Sequence, residues 1–250
     1  MKRYNALSLA AARSYWRDKV TLFFTFAFPL IFLVVFGLIF GGEKLTGGRH
    51  FIDYIGPGVM AWAVANASLF GVAYTLMHWR TTEVLRLIRM TPTSVPVVLG
   101  SRYLVGLGVA LAQAVFFIAI AMLPIFGLHL AGSAVLALPV LIVGTMAFFA
   151  IGMLVGTYAK SPDAIAAIAN CIMLPMAFMS GTFYPIDQSP AWVQGIANVL
   201  PLRYLTDGMA GQLSGTAGAS AIVVPCLVLI GFTALFAASA TKLFRWSNEA

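Results

Sequence analysis

Residues 20–42 read VTLFFTFAFPLIFLVVFGLIFGG, 23 positions without a single charge. An α-helix rises about 1.5 Å per residue, so about 20 apolar residues cover the roughly 30 Å hydrocarbon layer of a bilayer. A cleavable secretion leader has an apolar stretch of only about 7–15 residues ahead of a small-residue cleavage site. The 20–42 run is longer and keeps aromatic and β-branched residues to its end, so it reads as a retained membrane span.

The remainder of the chain extends that reading. Hydrophobic residues make up 61% of the 250 positions and charged residues only 9%, with a mean hydropathy of +0.94; a soluble domain carries about 25% charged residues. The net charge of +7 does not point to nucleic acid, because the basic residues sit in short gaps between apolar runs and do not gather on one face. Cys171 and Cys226 lie inside apolar runs and suggest neither a disulfide framework nor a metal site.

A charge at the bilayer centre costs at least about 2.5 kcal/mol, so charged residues mark where the chain leaves the hydrocarbon. The charge-free runs are 20–42, 54–79, 103–159, 164–186 and 208–241. The third is long enough for two helices and breaks at Phe126-Gly127-Leu128-His129-Leu130-Ala131-Gly132-Ser133. The expectation is an all-α membrane protein, one transmembrane domain over 1–250 with spans at about 21–41, 55–78, 96–125, 134–158, 164–182 and 219–241. Twelve of the fifteen Lys and Arg residues then fall on the side of the termini, and only Lys44, Arg49 and Arg203 on the other. The excess of positive charge in cytoplasmic loops places both termini in the cytoplasm of a bacterial inner membrane. Within the spans, Gly37 with Gly41 and Gly152 with Gly156 form small-xxx-small pairs, which fit close packing within the chain, a dimer contact or chance spacing.

Ion-coupled transporters need ionisable groups at membrane depth. Here Asp53, Asp163, Asp187 and Asp207 fall at span ends or in loops, and Arg102 comes early in the third span, where it can snorkel to the interface. The 250 residues also lack a G-x-x-x-x-G-K-[ST] phosphate loop, so nucleotide hydrolysis would belong to a partner. His50, His78 and His129 are scattered and complete no metal or catalytic set.

Three segments carry more information. Residues 1–19 mix Tyr4, Leu7, Leu9, Tyr15 and Trp16 with five basic residues, fitting either an interfacial amphipathic helix or a basic leader with aromatic anchors. Between spans two and three, Val84, Leu87 and Ile88 share a helical face, Glu83, Arg86 and Arg89 leave it, and Thr91-Pro92 ends the helix. That helix either floats on the bilayer or docks in a groove on a soluble partner. Finally, residues 179–213 are too apolar for an exposed loop, and Pro185, Pro190 and Pro201 cut them into pieces too short to cross. They fit outer re-entrant half-helices, with an interfacial loop anchored by Tyr184, Trp192 and Tyr204 as the alternative.

Taken together, these segments resemble the ABC-2 family, the integral-membrane subunits of exporters that include daunorubicin-type drug-resistance and nodulation-factor permeases. The most specific part is Ser180-Gly181-Thr182-Phe183-Tyr184-Pro185, then Pro190-Ala191-Trp192 and Leu200-Pro201-Leu202-Arg203-Tyr204, similar to that family's pattern before the last span. Leu200 stands where the family usually has Asn, and Leu85 where many members have a glycine. Arg17-Asp18 and Pro29 also look like the start of the family's first span, and Glu83 to Pro92 resembles its coupling helix. The resemblance implies a homodimer or heterodimer of six-span permeases, each with an elbow helix at 1–19 and a coupling helix seated on a separate ATPase that binds ATP and Mg. It implies coupling residues Arg80, Glu83, Arg86, Leu87, Ile88 and Arg89, and an outer gate at Phe183, Tyr184, Pro185, Trp192, Pro201 and Tyr204. Position alone suggests Asn170, Met173, Met176 and Phe178 as the pathway lining.

The leading expectation is therefore the permease of an ATP-driven exporter. With few polar groups at membrane depth, the expected cargo is an amphipathic drug, lipid or glycolipid-like molecule. A membrane-embedded enzyme would need clustered catalytic groups at one surface, and a channel or scaffold subunit would bring down no ATPase.

Overall fold

The computed structural model describes residues 15–40, 51–82 and 95–243. The first helix starts where its chemistry provides a cap. The Asp18 carboxylate accepts from the Thr21 amide at 3.1 Å and from the Thr21 hydroxyl at 2.6 Å, satisfying a donor that the first helical turn leaves orphaned. From there α1 (Lys19–Leu22) runs into a π-helical turn at Phe23–Ala27 and on into α2 (Phe28–Phe40). A π turn holds one residue more than an α turn and disturbs the regular carbonyl ladder. Gln113 of the third span, fully buried, meets that disturbance by donating its side-chain amide to the Thr25 carbonyl at 2.7 Å.

The other crossing helices are α3 (Phe51–Thr81), α4 (Val95–Ala121), α5 (Ala137–Tyr158), α6 (Pro162–Met179) and α9 (Val223–Leu243). Six helices in all are long and apolar enough to span a membrane, and the described residues contain no strand. Two shorter helices, α7 (Ala191–Ala197) and α8 (Pro201–Leu213), lie between α6 and α9. Single turns of 3-10 helix stand at Ala134–Leu136, Ile186–Gln188 and Ala219–Ile222.

Six long helices overlap the six expected spans, with different ends: α3 covers Phe51–Thr81 rather than the expected 55–78, passing Asp53 and Arg80. The third span stops at Ala121 rather than near 125 because Pro124 has no amide hydrogen to continue the ladder. The expected break at 126–133 is a loop in which Gly127 takes a positive φ of 67°. The fifth span ends at Met179 rather than 182, since the chain turns through Gly181 at φ 74°, a conformation glycine adopts without a Cβ penalty.

At the centre of the bundle is α3, where every residue from Ile55 to Ala65 is buried. Gly152 and Gly156 of α5 set its closest contact. A Cβ on Gly156 would come within 2.7 Å of the Ala73 carbonyl oxygen, and one on Gly152 would collide with the Leu69 carbonyl. This pair therefore serves packing within the chain. Gly37 faces the Phe126 ring, and Gly41 lies outside the described residues. Outward, α2 exposes Ile31, Val35, Leu38 and Ile39, and α9 exposes Val223, Val224, Leu227 and Ile230. In water such surfaces would associate; in a bilayer they are the lipid-facing side.

Candidate functional site

Two ends of the bundle carry the features of interest. At one end, α3 leads through Thr81 toward the segment whose sequence predicts an amphipathic helix, which lies outside the described residues. Arg80, in the last turn of α3, turns back across the bundle. Its guanidinium donates to the Gly156 carbonyl at 3.2 Å and also to the Thr157 carbonyl, covering orphan acceptors at the end of α5. Arg80 thus joins two spans of its own chain. Glu83, Arg86, Leu87, Ile88 and Arg89 lie outside the described residues, as does most of the 1–19 segment. The described part of that segment packs on the first span: the Tyr15 hydroxyl is 2.6 Å from the Thr25 hydroxyl, and Trp16 stacks on Phe26 at 6.5 Å.

At the other end, the 180–218 segment is tied to the bundle through α3. The Tyr54 hydroxyl lies between the carbonyls of Gly181 and Tyr184, 2.6 Å from the latter, its single proton serving both. Gly58, one turn on, leaves room for the Thr182 carbonyl, where a Cβ would collide. These contacts hold the 180–185 turn flat on α3. Phe183 is then driven into an aromatic group, with ring centroids 5.7 Å from Trp62, 5.9 Å from both Phe32 and Phe36, and 5.3 Å from Phe178. Such offset and edge contacts add about 0.5–1.5 kcal/mol each beyond area burial.

The prolines here serve as stops and starts. Pro185 precedes the 3-10 turn, Pro190 occupies the N-cap of α7, and Pro201, buried, opens α8 at a position where a missing amide costs nothing. The first face of α8, Leu202, Leu205 and Met209, is buried against α3, α5 and α9. On its other side Arg203 donates to Asn198 Oδ1 at 2.7 Å and to Asp207 at 3.3 Å, while the Tyr204 hydroxyl donates to the Asn198 carbonyl at 2.8 Å. Although 53% of the Asp207 side chain reaches the surface, burial of its surroundings pushes its carboxyl above the ordinary value, with Arg203 pulling the other way. Trp192 points away from the bundle, 65% exposed.

The four positions suggested as pathway lining do not share a face. Met173 and Met176 of α6 are buried in the core of the chain, whereas Asn170 and Phe178 lie on the exposed face of the same helix. Three residues that shape the site, Tyr54, Gly58 and Gln113, escaped the reading of the sequence. Gln113 could have been marked as an amide stranded in a long charge-free run; nothing local marks Tyr54 or Gly58.

Six apolar crossing helices, five of them around a buried α3, with a proline-divided cap between the last two, define a multi-pass membrane permease. Residues 3–214 match the ABC-2 type transporter family, and the chain belongs to that family. It is 28% identical to the daunorubicin resistance ABC transporter permease protein DrrB1 of Streptomyces coeruleorubidus, over 88% of this chain and 78% of that one. The inner membrane transport permease YadH of Escherichia coli K12 is 24% identical over 79% of this chain and 80% of its own length. Nodulation protein J of Rhizobium leguminosarum bv. viciae is 30% identical over 72% of this chain and 69% of its own.

Proposed function

We propose that this chain is the membrane-spanning subunit of an exporter powered by a separate ABC ATPase, and that it moves an amphipathic drug, lipid or glycolipid-like molecule outward. The observation that carries this reading is the Arg80 bridge, since the segment beginning at residue 83 leaves directly from a helix end already bonded to α5. A push delivered to residues 83–92 would reach two spans at once. ATP and Mg would be held by the ATPase, since these 250 residues contain no phosphate loop. In this reading Leu87 and Ile88 enter a groove on the ATPase, Glu83, Arg86 and Arg89 stand at its rim, and Arg80 braces them from behind.

The basic end of the bundle faces the cytoplasm, with both termini there, and α7 and α8 dip into the outer leaflet with Trp192 at the interface. The packing of Phe183 against both Trp62 and Phe178 supports an aromatic gate beside the pathway. Asn170, an amide on the exposed side of an apolar helix, is where a second permease protomer or the cargo would meet the chain. The drug-resistance name of one relative supports the amphipathic class of cargo.

The test is co-expression of the tagged permease with its candidate ATPase, wild type against Leu87→Asp. An unpaired charge buried at such a contact costs several kcal/mol, so the variant should insert normally yet lose ATPase co-purification or cargo-stimulated hydrolysis. Wild-type assembly and export by Leu87→Asp would remove residues 83–92 from the interface. A wild-type permease that brings down no ATPase would overturn the exporter reading.

A further inference from the structure

Arg102 lies seven residues into α4, which begins at Val95, or about 10 Å along the helix at 1.5 Å per residue. Its guanidinium rests over the Trp79 ring, 5.0 Å from the centroid. Trp79 is itself fixed, buried among Val72, Leu76, Val98 and Phe149. A guanidinium carries five N–H donors, and in a half-apolar setting they require acceptors.

The polar groups around Arg102 are otherwise engaged. The Ser101 hydroxyl donates to the Val98 carbonyl at 2.7 Å, and the Tyr103 hydroxyl to the Ile142 carbonyl at 2.9 Å. Arg80, next in sequence to Trp79, is turned to the end of α5. Among the described residues no carboxylate pairs with Arg102. Asp18 caps the first helix, and Asp163 sits in the first turn of α6. Among the described residues, charge at this end is one-sided, since Arg17, Lys19, Arg80, Lys160 and Lys242 accompany Arg102 against those two acids.

We propose that Arg102 and Trp79 form a headgroup site for an anionic phospholipid at the basic end of the bundle. The planar guanidinium takes two phosphate oxygens in parallel, and the indole face backs the cation. The site is independent of what the permease transports. A protein carboxylate from a partner is the rival occupant, but a guanidinium seven residues into a membrane-spanning helix, within reach of the headgroup layer, favours a lipid phosphate.

The experiment uses the purified full-length chain and native mass spectrometry with phosphatidylglycerol, with phosphatidylcholine as the neutral-headgroup control. Wild type should retain phosphatidylglycerol in preference to phosphatidylcholine, and Arg102→Gln should weaken that preference about fivefold, as expected for one basic residue at an anionic surface. Arg102→Lys, which keeps the charge and loses the fork, should fall between them. The wild-type preference is read without any variant, so its absence overturns the site even where Arg102→Gln fails to fold. An unchanged preference in Arg102→Gln also overturns it. Displacement of the lipid by millimolar inorganic phosphate would make it a free-anion site instead. Loss of the preference on assembly with a partner protein would assign Arg102 to that partner.

Discussion

The Arg80 guanidinium donates to the Gly156 carbonyl at 3.2 Å, so the last turn of α3 and the last turn of α5 are held by one side chain. A charged hydrogen bond of this kind is worth about 1.5–3 kcal/mol, less where it is partly exposed to water. Arg80→Ala is expected to lower stability by about 1–2 kcal/mol, seen as a fall in melting temperature in detergent. In the exporter assembly it should reduce cargo-stimulated ATPase activity while the subunits still co-purify. Loss of co-purification would place Arg80 in the partner contact itself.

The helix contact beneath that bridge depends on two missing side chains. Gly156→Leu would drive a side chain into the Ala73 backbone, and overpacking of this kind costs typically about 1–3 kcal/mol or more. Gly71 lies on α3 with nothing within 4 Å of its would-be Cβ. Gly71→Ala should therefore raise stability by about 0.5–1 kcal/mol, the helix-propensity difference alone. Thermal unfolding of the two variants side by side tests the asymmetry.

Tyr54→Phe removes the hydroxyl that pins the 180–185 turn and leaves the ring in place. The expected loss is about 1 kcal/mol of stability, with a looser turn. Faster reaction of a cysteine introduced at Thr182, a fully buried position, would report that loosening. Equal rates in the two backgrounds would show that the aromatic contacts of Phe183 hold the turn unaided.

Asp207 sets a pH dependence of defined sign. Its carboxyl lies above the ordinary value of 3.8 when folded, so the folded state binds the proton more tightly than the unfolded chain. The group contributes stability that is present below 3.8 and is lost as pH rises through the raised folded value. Asp207→Asn should remove that decline. Melting curves of both proteins across the acid range check it, and parallel curves would show that Arg203 cancels the effect of burial.

Membrane class and span number were legible because each rests on a one-dimensional sum. Hydrophobic free energy accumulates along about 20 residues, and one charge is enough to end a span. Ends differ at Pro124 and Gly181, where backbone chemistry overrides hydropathy, and α3 runs past Asp53 and Arg80 beyond the expected 55–78. The proline pieces at 185, 190 and 201 could also be read, since a missing amide acts locally. Pairings across the bundle left no such trace. Phe183 meets Trp62 and Phe32, and Gln113 meets Thr25, through positions far apart in the chain.

By itself, then, the sequence determined that the chain crosses a membrane six times, how its charge is distributed between the two sides, and its family pattern around residues 180–204. Which faces meet was decided only by the tertiary structure. In a bilayer an apolar residue gains little by choosing a helix neighbour over lipid, so hydropathy does not tell inner faces from outer ones. Close packing and hydrogen bonding make that choice. They bury Met173 and Met176 while leaving Phe178 on the surface, they seat Gly156 on Ala73, and they turn Arg80 inward to α5.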